Sequence, residues 1–189
     1  MNDVSSVAAT PASRLTTRAV AVLLGVALMA ATAHVAIPVP GTPVPMTLQP
    51  LGVLLVGGAL GAALGASSLA LYLGLGVAGL PVFSPYGGPG GLLSLVGPTG
   101  GYLLAFPLAA AATGYIAGEG RATLRVAAGA LAGLLLIHLG GLAQLALLTG
   151  SVREAAVLGT WPFLLGDLGK LALAIAVLRP SIPSLRARL

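Results

Sequence analysis

From Ala19 to Gly118 the chain contains no Asp, Glu, Lys or Arg. One bilayer crossing takes about 20 apolar residues, so this uncharged stretch has room for several. Its soluble alternative, a globular core, would leave nothing to cover it. The whole chain is 57% hydrophobic and 7% charged, against about a quarter charged in ordinary soluble domains. Without cysteine there are no disulfides or thiolate metal sites. Residues 1–13, rich in Ala, Ser and Thr, read as a disordered tail, residues 14–180 as one membrane domain, and residues 181–189 as a basic cytoplasmic tail.

The first apolar run, Ala19 to Ile37, follows Arg14 and Arg18 and ends in Pro-Val-Pro. It exceeds a secretory h-region of about 7–15 residues and shows no small-residue cleavage site, so it is expected to stay as a span. Pro, Gly and polar punctuation places further spans at 48–64, 67–83, 97–118, 125–149 and 158–179, with the turn between the second and third at Gly65, Ala66, Ser67 and Ser68. The expectation is an all-α, polytopic six-helix membrane bundle. With both termini in the cytoplasm, Arg14, Arg18, Arg121, Arg125, Arg179, Arg186 and Arg188 all fall inside and only Arg153 outside. The positive-inside rule prefers that arrangement to five crossings. It also accounts for the net charge of +5 as topology signals, which excludes a nucleic-acid surface.

Gly57, Gly61 and Gly65 repeat every fourth residue, as do Ala27 and Ala31 on the first span. Small residues at that spacing let membrane helices approach closely, either within the chain or against a separate subunit. Between the first two spans lies a loop with prolines at 38, 40, 43, 45 and 50, expected to run extended. The glycine-rich segment from Ser84 to Pro98, with Tyr86, leads into Gly97-Pro-Thr-Gly-Gly-Tyr102 and suits tight turns or close approach to a ligand.

Asp167 and Lys170 are the sharpest feature. Three residues apart in the last span, they share a helix face, in surroundings where each ionisable group costs about 2.5–3.5 kcal/mol to insert. Such groups pair with each other or face a cavity, and Trp161 as an outer-interface anchor puts that cavity toward the outside. A locked ion pair, a ligand site and an ion pathway with Asp167 as coupling site all fit. His34 and His138 lie on different spans without a carboxylate nearby in sequence, and read as packing or cavity-wall groups. No set of three or four metal ligands is visible. Gly166-Asp-Leu-Gly-Lys170 is too short for a phosphate loop and lacks its Ser or Thr, and no catalytic constellation is present. The reading is therefore not an enzyme, and no cofactor is called for.

Val44-Pro-Met-Thr-Leu-Gln49, Gly79-Leu-Pro-Val-Phe83, Gly97-Pro-Thr-Gly-Gly-Tyr102 and Gly166-Asp-Leu-Gly-Lys170, in that order, resemble the BioY family of biotin transporters from about residue 15 to 179. The resemblance implies the substrate-binding S component of an energy-coupling-factor (ECF) transporter in a bacterial plasma membrane. A separate transmembrane T component and two ATP-binding subunits would be its partners. It implies that Asp167 and Lys170 contact biotin, and that Ala27 and Ala31 dock the T component. Gln49, Thr47, Tyr86, Thr99, Gly100 and Tyr102 are the further candidates at the pocket, supplied by loops and helix ends. An S component for another small molecule, or an ion-coupled carrier, is the alternative.

Overall fold

The computed structural model describes residues 11–189. Residues 1–10 of the expected tail lie outside them; residues 11–13 are already helical. The order is α1 (Pro11–His34), β1 (Ala36–Ile37), β2 (Met46–Thr47), α2 (Gln49–Val77), α3 (Leu93–Val96), α4 (Gly100–Ala117), α5 (Thr123–Thr149), α6 (Val152–Gly159), a 3-10 turn (Trp161–Phe163) and α7 (Leu164–Arg186). Among the described residues, five helical stretches are long and apolar enough to cross a membrane: Ala12–His34, Gln49–Val77, Gly100–Ala117, Thr123–Thr149 and Val152–Arg186.

The second of these is not a rod. Gly61 has φ 83° and ψ 176°, a region open essentially to glycine alone, and the chain doubles back there. A Cβ added to Gly65 would lie 2.9 Å from the Cα of Gly57, and Gln49 Nε2 donates to the Tyr72 hydroxyl at 2.9 Å. In one straight helix residues 49 and 72 would stand about 34 Å apart at 1.5 Å per residue. The turn expected at Gly65–Ser68 is therefore misplaced. Residues 65–68 are helical, and Gly57 and Gly65 face each other across the bend instead of stacking on one helix face. The last span also differs: Ser151 caps a separate short helix, its Oγ accepting from Glu154 N at 3.3 Å, and Pro162 lies in the 3-10 turn that precedes α7. Most of the expected C-terminal tail is the end of α7, which continues to Arg186.

In lipid there is little hydrophobic drive between helices, so close packing must hold them. Glycine supplies it where α2 meets α4 (Gly57 on Ala110, Gly114 on Gly61) and where α4 meets α5 (Gly101 on Gly140); a Cβ on Gly57, Gly114, Gly101 or Gly140 would strike backbone. Met29, Val53, Tyr72, Phe106 and Ile137 fill the core between α1, α2, α4 and α5, while Leu54, Val126, Leu178 and Ile182 fill the layer against α7.

Arginines gather one end of the bundle. Arg18 Nε donates to the carbonyl of Leu189 at 2.9 Å, Arg125 Nε to that of Ile116 at 3.0 Å, and Arg179 Nε to Thr123 Oγ1 at 3.0 Å. Arg186 reaches between helices, donating to Gly58 O at 2.6 Å, Gly114 O at 3.0 Å and Gly118 O. These carbonyls lie in the last turns before Gly61 and at the end of α4, where no helical N–H is left to receive them. The opposite end carries the two loops. The proline-rich one is closed by pairing of Ala36 with Thr47 and Ile37 with Met46, so its ends form a small hairpin and its prolines occupy the tip and the start of α2.

Candidate substrate site

At the loop end, α2, α4, α5 and α7 enclose a mostly apolar cavity whose space, open mouth included, is about 630 Å³. Phe83, Leu103, Phe106, Ile137 and Phe163 form its apolar wall, and Val44 and Pro45 from the proline-rich loop its rim. That loop is pinned: Thr42 Oγ1 donates to Leu158 O at 2.6 Å, and Val44 packs with Leu145, Ala155 and Phe163. Gln144 of α5 holds the other loop, its Nε2 donating to Leu95 O at 2.9 Å and Gly97 O at 2.6 Å. Both loops are thereby fixed to the helices they cover.

The polar centre of the cavity is a trio. Asp167 Oδ1 accepts from Lys170 Nζ at 2.8 Å, and Asp167 Oδ2 lies 2.7 Å from His138 Nε2. Asp167 is 3% exposed and Lys170 8%, so the pair is shielded from water and its geometry must offset desolvation. The three-residue spacing on α7 brings Lys170 to Asp167; only the packing of α5 on α7 brings His138. The Tyr102 ring meets the imidazole edge to face, with centroids 6.4 Å apart, while its hydroxyl donates to Gly159 O at 2.6 Å. Tyr102 thus shows the cavity its ring.

Other polar groups on the wall are tied down. Thr47 Oγ1 donates to Gln49 Oε1 at 3.2 Å, Gln49 Nε2 to Tyr72, and the Tyr72 hydroxyl to Val82 O at 3.0 Å. This chain fixes the start of α2 to the end of its second arm. Thr99 Oγ1 donates to Gly87 O at 2.8 Å, bracing the glycine-rich loop.

Of the residues singled out in the sequence, Asp167, Lys170, Thr47, Gln49, Thr99 and Tyr102 all border this cavity. Tyr86 does not; it is 54% exposed on the glycine-rich loop. Gly100 is buried behind the wall, where a Cβ would strike the carbonyl of Leu95. His138 belongs to the wall, and its partnership with Asp167, 29 residues away on another helix, left no local trace in the sequence. Ser84, Ser94 and the phenylalanines are further wall residues without a distinguishing spacing. Ala27 and Ala31 lie on the exposed side of α1, away from Gly25, Val26, Met29, Thr32 and Ala33 on its buried side.

The BioY family model matches residues 4–187. A probable biotin transporter BioY of Pyrococcus horikoshii is 42% identical over 156 residues, covering 82% of this chain and 90% of the relative. The biotin transporter BioY of Thermotoga maritima is 39% identical over 141 residues, covering 75% and 82%. A crystal structure of the S component for biotin from an ECF-type ABC transporter superposes with a TM-score of 0.80 at 25% identity, covering 92% of this chain and 94% of that one. The matched region takes in both cavity loops and all three residues of the buried trio, and the chain belongs to the BioY family.

Proposed function

We propose that this protein captures biotin from the outer side of a bacterial plasma membrane and serves its uptake as the S component of an ECF transporter. It is a substrate-binding transport subunit and not an enzyme. The observation that carries the reading is the cavity itself: an apolar, phenylalanine-lined space whose floor holds a buried Asp–Lys pair, in a chain of this family. Biotin has an apolar bicycle and chain, a ureido group that both donates and accepts, and a carboxylate. A mostly apolar pocket with a few convergent polar groups suits it.

In this reading Asp167 and Lys170 contact the ligand, Thr47 and Gln49 order the proline-rich loop over it, and Thr99 and Tyr102 shape the opposite wall. Tyr86 and Gly100 act on the loop rather than on the ligand. A transmembrane T component and two ATP-binding subunits supply the energy, the former docking on the exposed Ala27 and Ala31 of α1. The chain crosses the membrane six times, the two arms of α2 counting separately, with both termini and the arginine-rich end in the cytoplasm. The arginine distribution and the reversal at Gly61 support that topology.

Equilibrium binding of radiolabelled biotin to the purified chain in detergent tests the function. Saturable binding at one site per chain is expected, displaced by unlabelled biotin. Absence of saturable binding by folded protein would end the proposal.

A further inference from the structure

We infer that His138 is a third ligand-binding residue, whose Nδ1 accepts a hydrogen bond from a ureido N–H of biotin; this rests on the biotin reading above. His138 lines the cavity, and its Nδ1 is buried without a hydrogen-bond partner among the described residues. Buried polar atoms are almost always paired, so an unpaired one on a residue that lines a ligand cavity points to the ligand.

The chemistry of the trio sets the polarity of that contact. An ionised carboxylate only accepts, so the proton between Asp167 Oδ2 and His138 Nε2, 2.7 Å apart, sits on Nε2. Lys170 already balances Asp167 at 2.8 Å. A second proton on the imidazole would put an unmatched cation among Phe83, Phe106 and Phe163, which is costly. In the Nε2–H tautomer, Nδ1 carries a lone pair in need of a donor. Among the polar groups of the wall, Lys170 donates to Asp167, Tyr102 to Gly159, Gln49 to Tyr72 and Thr99 to Gly87. Biotin brings N–H groups only on its ureido ring. The carboxylate at its other end accepts and would repel both Nδ1 and Asp167.

The test is competition against radiolabelled biotin on the purified full chain, using two analogues in which one ureido N–H is replaced by a ring oxygen, one analogue for each nitrogen. On the wild type, one analogue should compete about tenfold or more less well than biotin. In His138→Gln the amide can still reach Asp167 from the Nε2 position but offers nothing at Nδ1. Biotin should there bind about tenfold more weakly, and the preference for biotin over that analogue should collapse, the signature of a direct pairwise contact. His138→Asn, with its amide near the Nδ1 position, should bind biotin more tightly than His138→Gln. Equal competition by biotin and both analogues on the wild type would overturn the inference without any variant having to fold. So would wild-type affinity in His138→Gln, because a residue that merely holds Asp167 is replaced by Gln without loss. If the wild type binds no biotin, the functional reading fails and this inference with it; if it binds biotin and discriminates against neither analogue, only this inference fails.

Discussion

Asp167 neutralises Lys170 and orders His138 at once, so its removal differs in kind from removal of either partner. Asp167→Asn leaves the Lys170 ammonium buried without a counter-ion, and Lys170→Ala leaves the carboxylate with an imidazole donor. Each should weaken biotin binding by about 1.5–3 kcal/mol, roughly tenfold or more, because a charge-assisted contact is lost. Thermal unfolding should separate the two, with Asp167→Asn the less stable. In Asp167→Leu/Lys170→Leu the stranded charge is gone, so stability should recover while binding stays lost. Wild-type affinity in a folded double variant would remove both residues from the site. This pair was legible in the sequence because its spacing is local and its surroundings forbid idle charges. His138 was not legible as Asp167's partner, since nothing in residues 134–142 encodes where α7 will pack; nor was the exclusion of Tyr86, a polar aromatic that the loop turns outward.

At the scale of elements, the reversal in α2 depends on one residue. With φ 83° and ψ 176° at Gly61, a side chain there is strained by about 1–3 kcal/mol, and no neighbouring position can take over without unwinding helix. Gly74, in the second arm of the same element, has nothing within 4 Å of a built Cβ and lies in regular helix, where Ala is favoured over Gly by up to about 1 kcal/mol. Gly61→Ala should therefore lower the unfolding temperature of the purified protein, and Gly74→Ala should leave it unchanged or raise it. Equal effects from both would mean that the bend tolerates ordinary backbone geometry. The apolar run from Leu51 to Phe83 is legibly too long for one crossing and must turn, but the sequence pointed to Gly65–Ser68 and not to Gly61. Both are small, and only the packing of Gly57 on Gly65 and of Gly114 on Gly61 selects Gly61. The short helix α6 was hidden for a similar reason, being amphipathic between two apolar spans.

At the scale of the whole molecule, the arginine contacts put the C-terminus, the 118–122 connection and the Gly61 bend at one end, and the cavity at the other. Single cysteines introduced into this cysteine-free chain report which end faces out. Pro89→Cys, on an exposed stretch of the cavity-side loop, should react with a membrane-impermeant maleimide on intact cells. Ala63→Cys, Ala122→Cys and Ser184→Cys should react only after permeabilisation. Labelling of Ala63→Cys from outside, with Ala122→Cys inside, would mean that α2 does not return across the membrane.

The exposed face of α1 is where the molecule would meet its energising partner. Its buried side is occupied by packing on α2, with Gly52 against Met29 and Thr32, whereas Ala27 and Ala31 are exposed. Close approach of a second membrane helix would depend on their smallness. Ala27→Leu/Ala31→Leu should accordingly keep wild-type biotin affinity and thermal stability, since Leu on a lipid-facing surface costs little. Co-purification with the T component, and biotin uptake by cells expressing the full transporter, should both fall several-fold. Unchanged complex formation would remove this face from the interface. A loss of biotin binding would show instead that α1 communicates with the cavity, through its buried neighbours Met29 and Thr32 and the start of α2.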